Sequence, residues 1–245
     1  MKVLKDTLIA QDGQKISYEH TVNNHDRVVI IVHGFYNSKD AVLLQELKNN
    51  LLDVYDILMF DFRGHGKSSG LFSWTSNEGK DLKIVLDYRE GKYKKTGMIA
   101  FSLGASVAIN VLAQGSRVDS LMCVSAASDP DKIDYNFWNL DVKGDLAYTL
   151  FTLDGLKGRG FRPGAFWRKK QKPTDNIDKV HIPVCYIHGE KDWVVKPWHS
   201  QVLYEKTQSV KKLIFIKNGS HAEYLIKDSK EEFIREVREW LEATL

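Results

Sequence analysis

Cysteine is scarce in this chain. Only Cys123 and Cys185 occur among 245 residues, each inside an apolar, strand-like run. A disulfide framework needs more cysteines than that, and a paired-cysteine metal site needs a spacing the chain lacks. Both read as buried free thiols, which predicts a reducing, cytoplasmic setting. An excess of one charge is lacking too. With 35 basic and 32 acidic residues the net charge is +3, too small to predict nucleic acid or another polyanion as a partner. No apolar run is long enough to span a bilayer, and Met1-Lys2-Val3-Leu4-Lys5-Asp6-Thr7-Leu8 interrupts its apolar residues with charge. Neither a signal core nor a membrane span is therefore expected. Internal repeats, low-complexity tracts and a Gly-x-Gly-x-x-Gly phosphate cradle are absent, and no cofactor or metal is expected. The oligomeric state leaves no readable trace.

What is present reads as a soluble α/β protein. The length suits one large domain, or a domain carrying a small insertion. Residues from about Thr7 to Val22 alternate polar and apolar around Asp12-Gly13, as in an antiparallel hairpin. The β-branched run Arg27–Val32 is a strand buried on both faces. Strands and helices then alternate. A helix is expected over about Lys39–Leu52, a strand over Asp56–Phe60, a helix over about Asn77–Arg89, then an apolar strand ending near Phe101. Further strands are expected at Ser120–Ser125, Val184–Ile187 and Leu213–Ile216, with helices over about Pro197–Lys206 and Ser229–Leu241. This rhythm implies a mostly parallel, eight-stranded sheet flanked by helices. From 129 to 178 the rhythm fails, and aromatic residues and glycines collect instead. Sites in parallel sheets lie beyond the carboxyl ends of the strands, and four strand ends here carry unusual residues: His33-Gly34-Phe35, Ser102, Asp192 and His221.

The stretch Ala100-Phe101-Ser102-Leu103-Gly104 joins a buried strand to a helix through a serine flanked by small residues. Such a turn exposes the serine hydroxyl above the sheet edge and aims a helix N-terminus at it. It resembles the nucleophile elbow of the α/β-hydrolase family, Gly-x-Ser-x-Gly, with alanine in place of the first glycine. His188-Gly189-Glu190-Lys191-Asp192 resembles that family's acid loop, and Gly219-Ser220-His221 its histidine loop. The three fall in the family's order of serine, acid, histidine. The resemblance covers nearly the whole chain outside the aromatic-rich stretch. It implies an α/β-hydrolase fold with its core at 1–128 and 179–245 and a small helical cap at 129–178.

Under that resemblance Ser102 is the nucleophile, His221 its base and Asp192 the acid that orients the imidazole. The backbone N–H groups of Leu103 and Phe35 would form the oxyanion hole. Other residues compete for these roles. His33 is expected to shape the oxyanion loop and His65 to belong to a structural turn, Asp61-x-Arg63-Gly64-His65-Gly66-x-Ser68, in which Asp61 and Arg63 brace loops. His188 reads as a packed loop residue. Glu190 is the nearest rival acid, and Glu223 is expected at the rim or in a structural role. Trp193 and Phe35 are candidates to line the substrate pocket. Trp193 and Trp198 could equally anchor the helix that follows. Arg168-Lys169-Lys170 reads as a solvated basic face.

The cap stretch carries Tyr135, Phe137, Trp138, Tyr148, Phe151, Phe161, Phe166 and Trp167. Turned inward, such rings favour acyl or aryl groups; turned on each other, they form the cap's own small core. The resemblance is to small serine esterases, a group that includes monoacylglycerol-lipase-like and cinnamoyl-esterase-like enzymes. It implies hydrolysis of small to medium carboxylic esters through an acyl-enzyme. Amide, peptide or thioester hydrolysis by the same triad is the alternative, and a non-catalytic ligand-binding member of the fold is another. The family's dehalogenases and epoxide hydrolases carry aspartate at the elbow, which Ser102 argues against.

Overall fold

The computed structural model describes residues 1–115, 118–133, 161–164 and 169–245. The helical cap expected at 129–178 lies mostly outside the described residues, as do Tyr135, Phe137, Trp138, Tyr148, Phe151, Phe166, Trp167 and Arg168.

Eight strands form one sheet in the order β1-β2-β4-β3-β5-β6-β7-β8. They are β1 (Lys2–Ile9), β2 (Lys15–Val22), β3 (Arg27–Val32), β4 (Asp56–Phe60), β5 (Lys95–Phe101), β6 (Ser120–Val124), β7 (Val184–Gly189) and β8 (Lys211–Ile216). From β3 onward all pairings are parallel, whereas β2 runs antiparallel to both β1 and β4. The hairpin begins at Lys2, paired with Val22, earlier than the expected Thr7. Most of β1 is exposed, so no buried face imposes the alternation by which a strand is read.

The central strands are apolar apart from residues near their ends, such as Asp56, Thr96, Ser120 and His188, because the sheet is covered on both sides. Val28, Ile30 and Val32 face one core, together with Leu82, Val85 and the helix after Ser102. Val29 and Ile31 face the other, with Leu44, Leu47, Phe233 and Val237. The described helices are α1 (Val42–Asn49), α2 (Glu78–Arg89), α3 (Leu103–Leu112), α4 (Trp198–Lys206), α5 (Leu225–Asp228) and α6 (Lys230–Thr244). Helix α1 starts later than Lys39 because Lys39 is buried in an ion pair with Asp61, Nζ to Oδ2 at 2.7 Å, and belongs to the loop. Cys123 and Cys185 occupy neighbouring strands, but the partner of Cys185 is Met122. The thiols therefore point into opposite cores, and both are free and buried.

Among the described residues, no helix is long and apolar enough to cross a membrane. Residues 161–164 lie as a strap on the loop after β4. Arg162 N donates to Gly64 O at 2.7 Å, Phe72 N donates to Arg162 O at 2.9 Å, and the Arg162 guanidinium also bonds Ser68 O.

Candidate active site

The site lies where β3, β5, β7 and β8 end. Ser102 occupies the turn between β5 and α3 with φ 49°, in the left-handed region. A non-glycine residue held there stores about 1–3 kcal/mol of backbone strain, which the surrounding structure must offset. It does so here by close packing. Ser102 N donates to Val124 O at 2.8 Å, and all of α3 is buried against the sheet. At Gly104 a Cβ would fall 2.5 Å from His33 O and 2.9 Å from Val32 O. No side chain fits there, whereas Ala100, two residues before the serine, sits fully buried with its methyl accommodated.

His221 follows β8. Its Nε2 lies 3.1 Å from Ser102 Oγ and its Nδ1 lies 2.7 Å from Asp192 Oδ2. The carboxylate is acceptor-only, so Nδ1 carries the proton and Nε2 is free to act as base. Asp192 is buried. Its Oδ1 accepts from Val194 N at 3.0 Å and Val195 N at 2.9 Å. Burial alone would raise its pKa, but the facing imidazoles of His221 and His188 outweigh this and hold it well below the usual carboxylate range. It is therefore ionised at neutral pH and can stabilise an imidazolium. Glu190, the rival acid, is exposed.

The loop after β3 passes over the serine; a Cβ on Gly34 would sit 3.4 Å from Ser102 Cβ. Two buried histidines stitch this loop down. Phe62 N donates to His33 Nε2 at 2.9 Å, and His33 Nδ1 donates to Gly34 O at 2.6 Å. Tyr36 N donates to His65 Nε2 at 3.2 Å, and His65 Nδ1 donates to Arg63 O at 3.1 Å. Both rings must stay neutral to accept those amides. Burial agrees, lowering His33 to about 4 and His65 to about 3. Between the stitched residues, the Phe35 N–H has no protein acceptor among the described residues, and neither has that of Leu103 at the start of α3. Two unspent donors beside a serine hydroxyl can hold an oxyanion.

The Phe35 ring is half-buried among Trp74, stacked at 5.1 Å, Phe72 at 5.1 Å and Phe161 at 5.0 Å. Trp193 is half-buried beside Asp192. Trp198 is 42% exposed and stacks on His199 at 3.7 Å. Lys169 is exposed, while Lys170 pairs with Asp131 at 2.9 Å.

The sequence reading passes over several contributors. Ser125 Oγ accepts from Ala222 N at 2.9 Å, anchoring the loop just past His221, and both Ser125 and Ala222 have positive φ. Trp74 and Thr75 also have positive φ, and Gln171 N donates to Thr75 Oγ1 at 3.1 Å. Lys39, the partner of Asp61, lies in a stretch read as helix. His188, expected as a packed loop residue, lies instead in β7, fully buried. A small polar depression lined by Lys83, Leu86, Asp87, Arg89, Glu90, Gln114 and Gly115 lies between α2 and the end of α3, and it shares no residue with this site.

The chain matches the alpha/beta hydrolase fold family over residues 27–150, half of its length, and belongs to that family. The X-Pro dipeptidyl-peptidase (S15) family matches over residues 145–223. Among relatives, YqkD of Bacillus subtilis (strain 168) is 28% identical over 236 residues, spanning 89% of this chain and 72% of that protein. The serine hydrolase BPHL of Homo sapiens is 24% identical over 237 residues, spanning 87% of this chain and 79% of that protein. A solved structure of the Pyrococcus furiosus esterase Pf2001 superposes with a TM-score of 0.77 at 25% identity, covering 99% of this chain and 91% of that one.

Proposed function

We propose that the protein is a cofactor-independent serine hydrolase that cleaves small to medium carboxylic esters through an acyl-enzyme. The observation that carries this reading is the unbroken chain Ser102 Oγ to His221 Nε2 at 3.1 Å and His221 Nδ1 to Asp192 Oδ2 at 2.7 Å, beside two unspent amide donors. In the first half-reaction His221 Nε2 takes the Ser102 proton as Oγ attacks the ester carbonyl. The carbonyl oxygen becomes an oxyanion held by the Leu103 and Phe35 N–H groups, each such donor being worth about 3 kcal/mol. The intermediate collapses, the ester C–O bond breaks, and the imidazolium gives its proton to the departing alkoxide. In the second half-reaction His221 deprotonates water, which attacks the acyl carbon and returns Ser102 and a carboxylic acid. The family membership and the esterase among its structural neighbours support the reaction class. We take residues 129–178 as an inserted cap; of its described residues, Phe161 packs on Phe35 and Lys170 lies over the Trp74 ring.

A series of chromogenic esters of increasing acyl length tests this, with Ser102→Ala as control. Turnover is expected from the native protein, with a drop of roughly 10⁴-fold or more in Ser102→Ala, and a fluorophosphonate is expected to label Ser102 alone. The S15 match at residues 145–223 supports a second reading, amide or peptide cleavage by the same triad. Dipeptidyl anilides belong in the panel for that reason. No turnover above the control on any ester or amide would overturn both readings in favour of ligand binding.

A further inference from the structure

We propose that His188 is a positioning residue of the triad, holding Asp192 and tuning how tightly His221 keeps its proton, with Ser200 fixing the tautomer of His188. This rests on the reading of Ser102, His221 and Asp192 given above. His188 is the penultimate residue of β7 and is fully buried. Its Nε2 lies 2.7 Å from Val195 O, an acceptor only, so that nitrogen carries a proton. Asp192 Oδ2 lies 3.1 Å from the same nitrogen. The opposite nitrogen, Nδ1, is 2.6 Å from Ser200 Oγ, so the serine hydroxyl of α4 donates to it in the neutral ring.

The arrangement closes a loop of bonds. Val195 donates its N–H to Asp192 Oδ1 and offers its carbonyl to His188. His188 thus grips the far end of the acid turn while its polarised N–H edge faces the carboxylate oxygen that accepts from His221. Among the described residues, the ionisable groups in contact with Asp192 are His221 and His188. The sites therefore form one chain, Ser102–His221–Asp192–His188–Ser200, of which the usual triad is the first three members.

The physical consequence has a definite sign. A positive N–H edge beside Oδ2 draws on the carboxylate's charge and lowers its hold on the His221 imidazolium. Removing that edge makes Asp192 a stronger partner for the imidazolium, so the pKa of His221 rises. The acidic limb of the kcat/KM profile then moves to higher pH, because more of His221 is protonated and unable to act as base. A residue that merely packs the loop would lower activity without moving the limb.

The test compares His188→Leu, His188→Gln and Ser200→Ala with the native enzyme, on an ester the native enzyme turns over. NMR titration of His221 runs in parallel as a readout independent of turnover. For His188→Leu we expect a roughly tenfold lower kcat with KM little changed, and both the acidic limb and the His221 titration displaced upward by about 0.5–1 pH unit. His188→Gln, which keeps a donor, is expected to restore much of that displacement. Ser200→Ala is expected to show a smaller displacement of the same sign, and it carries the test should His188→Leu fail to fold. An unmoved limb and an unmoved His221 titration in the folded variants would overturn the proposal. So would equal behaviour of the Leu and Gln variants. If the native enzyme neither turns over esters nor reacts with a fluorophosphonate, it is the hydrolase reading that fails, while the His221 titration still judges His188.

Discussion

The two sides of the rim that carries Ser102, Asp192 and His221 are joined by different contacts. On the β3/β4 side the loops rest on buried charge and neutral histidines. Lys39 Nζ is 2.7 Å from Asp61 Oδ2, both buried. Arg63 bonds Asp81 of α2 and Asp12 of the hairpin, each at 2.7 Å. Burial opposes the charge on Arg63, yet the two carboxylates carry its pKa upward. On the β7/β8 side the acid and histidine loops meet through backbone contact, with the buried His188 holding the acid turn through Val195 O. Glu190 N donates to Ile216 O at 3.0 Å and Lys191 N donates to Gly219 O at 2.9 Å. A Cβ on Gly189 would lie 2.3 Å from both Gly219 O and Ser220 O. The side that orients the amide donors thus tolerates no loss of charge. The side that brings acid to base tolerates no added atom.

The largest effect expected from this contrast is at Asp61. Its carboxylate takes Lys39 Nζ, Lys39 N at 2.8 Å and Lys67 N at 2.9 Å. Asp61→Ala removes the shorter of two ion pairs from a buried ammonium, leaving Asp40 Oδ2 at 3.2 Å, and should destabilise the fold by about 3 kcal/mol in urea unfolding. Lys39→Met with Asp61→Asn, which keeps an oxygen acceptor for the backbone amides, should recover much of that stability. If the double variant is no better than the single, the buried pair is not what holds this side.

Next comes the acid dependence of the same side. His33 falls to about 4 through burial, below the 6.5 of an exposed imidazole. The native state therefore refuses a proton that the unfolded chain accepts. Its contribution is fully present above pH 6.5 and is lost as pH falls towards 4, a change of about 3 kcal/mol. Unfolding midpoints measured from pH 7 to 4 should show that slope together with the one from His65, lowered to about 3 by burial, and His33→Gln should make the profile shallower. An equally steep slope in the variant would place the acid sensitivity elsewhere.

On the opposite side, Gly189→Ala should cost about 1–3 kcal/mol and roughly a hundredfold in kcat, since a shift near 1 Å between the acid and histidine loops misaligns the reacting atoms. The ratio matters more than either number. Activity is expected to fall further than stability here, whereas Asp61→Ala should lose both together.

That contrast also explains what could be read from the chain and what could not. That Ser102, Asp192 and His221 meet was legible because parallel strands deliver their carboxyl ends to one edge of the sheet. The apolar strands were legible because burial on both faces leaves them few polar positions, near their ends. Lys39 was not, since a lysine before an amphipathic run looks like a solvent-facing helix start; it is buried against Asp61, 22 residues away, a pairing with no local signal. Ser125 and Trp74 escaped for a related reason. Left-handed backbone at a serine or a tryptophan is imposed by tertiary contacts and has no local signature. The early residues of β1 were missed because an exposed edge strand has no face to advertise.

The smallest effect belongs to the contact that joins the two sides. Asn37 Nδ2 donates to Glu223 Oε1 at 2.5 Å, linking the loop that carries Phe35 to the loop that carries His221. Asn37 Oδ1 also accepts from Ser38 N at 2.8 Å, which fixes the amide's orientation. Single alanine variants would mix this bond with the other contacts of both residues. A double-mutant cycle of Asn37→Ala and Glu223→Ala isolates it, and a coupling of about 1.5 kcal/mol is expected in stability for a half-buried bond to a charged acceptor. If the bond also sets the spacing between oxyanion donor and base, the same cycle run on kcat will show coupling of like sign. Coupling in stability with none in kcat would mean that the two sides of the rim are aligned by the sheet beneath them and need no bridge across the top.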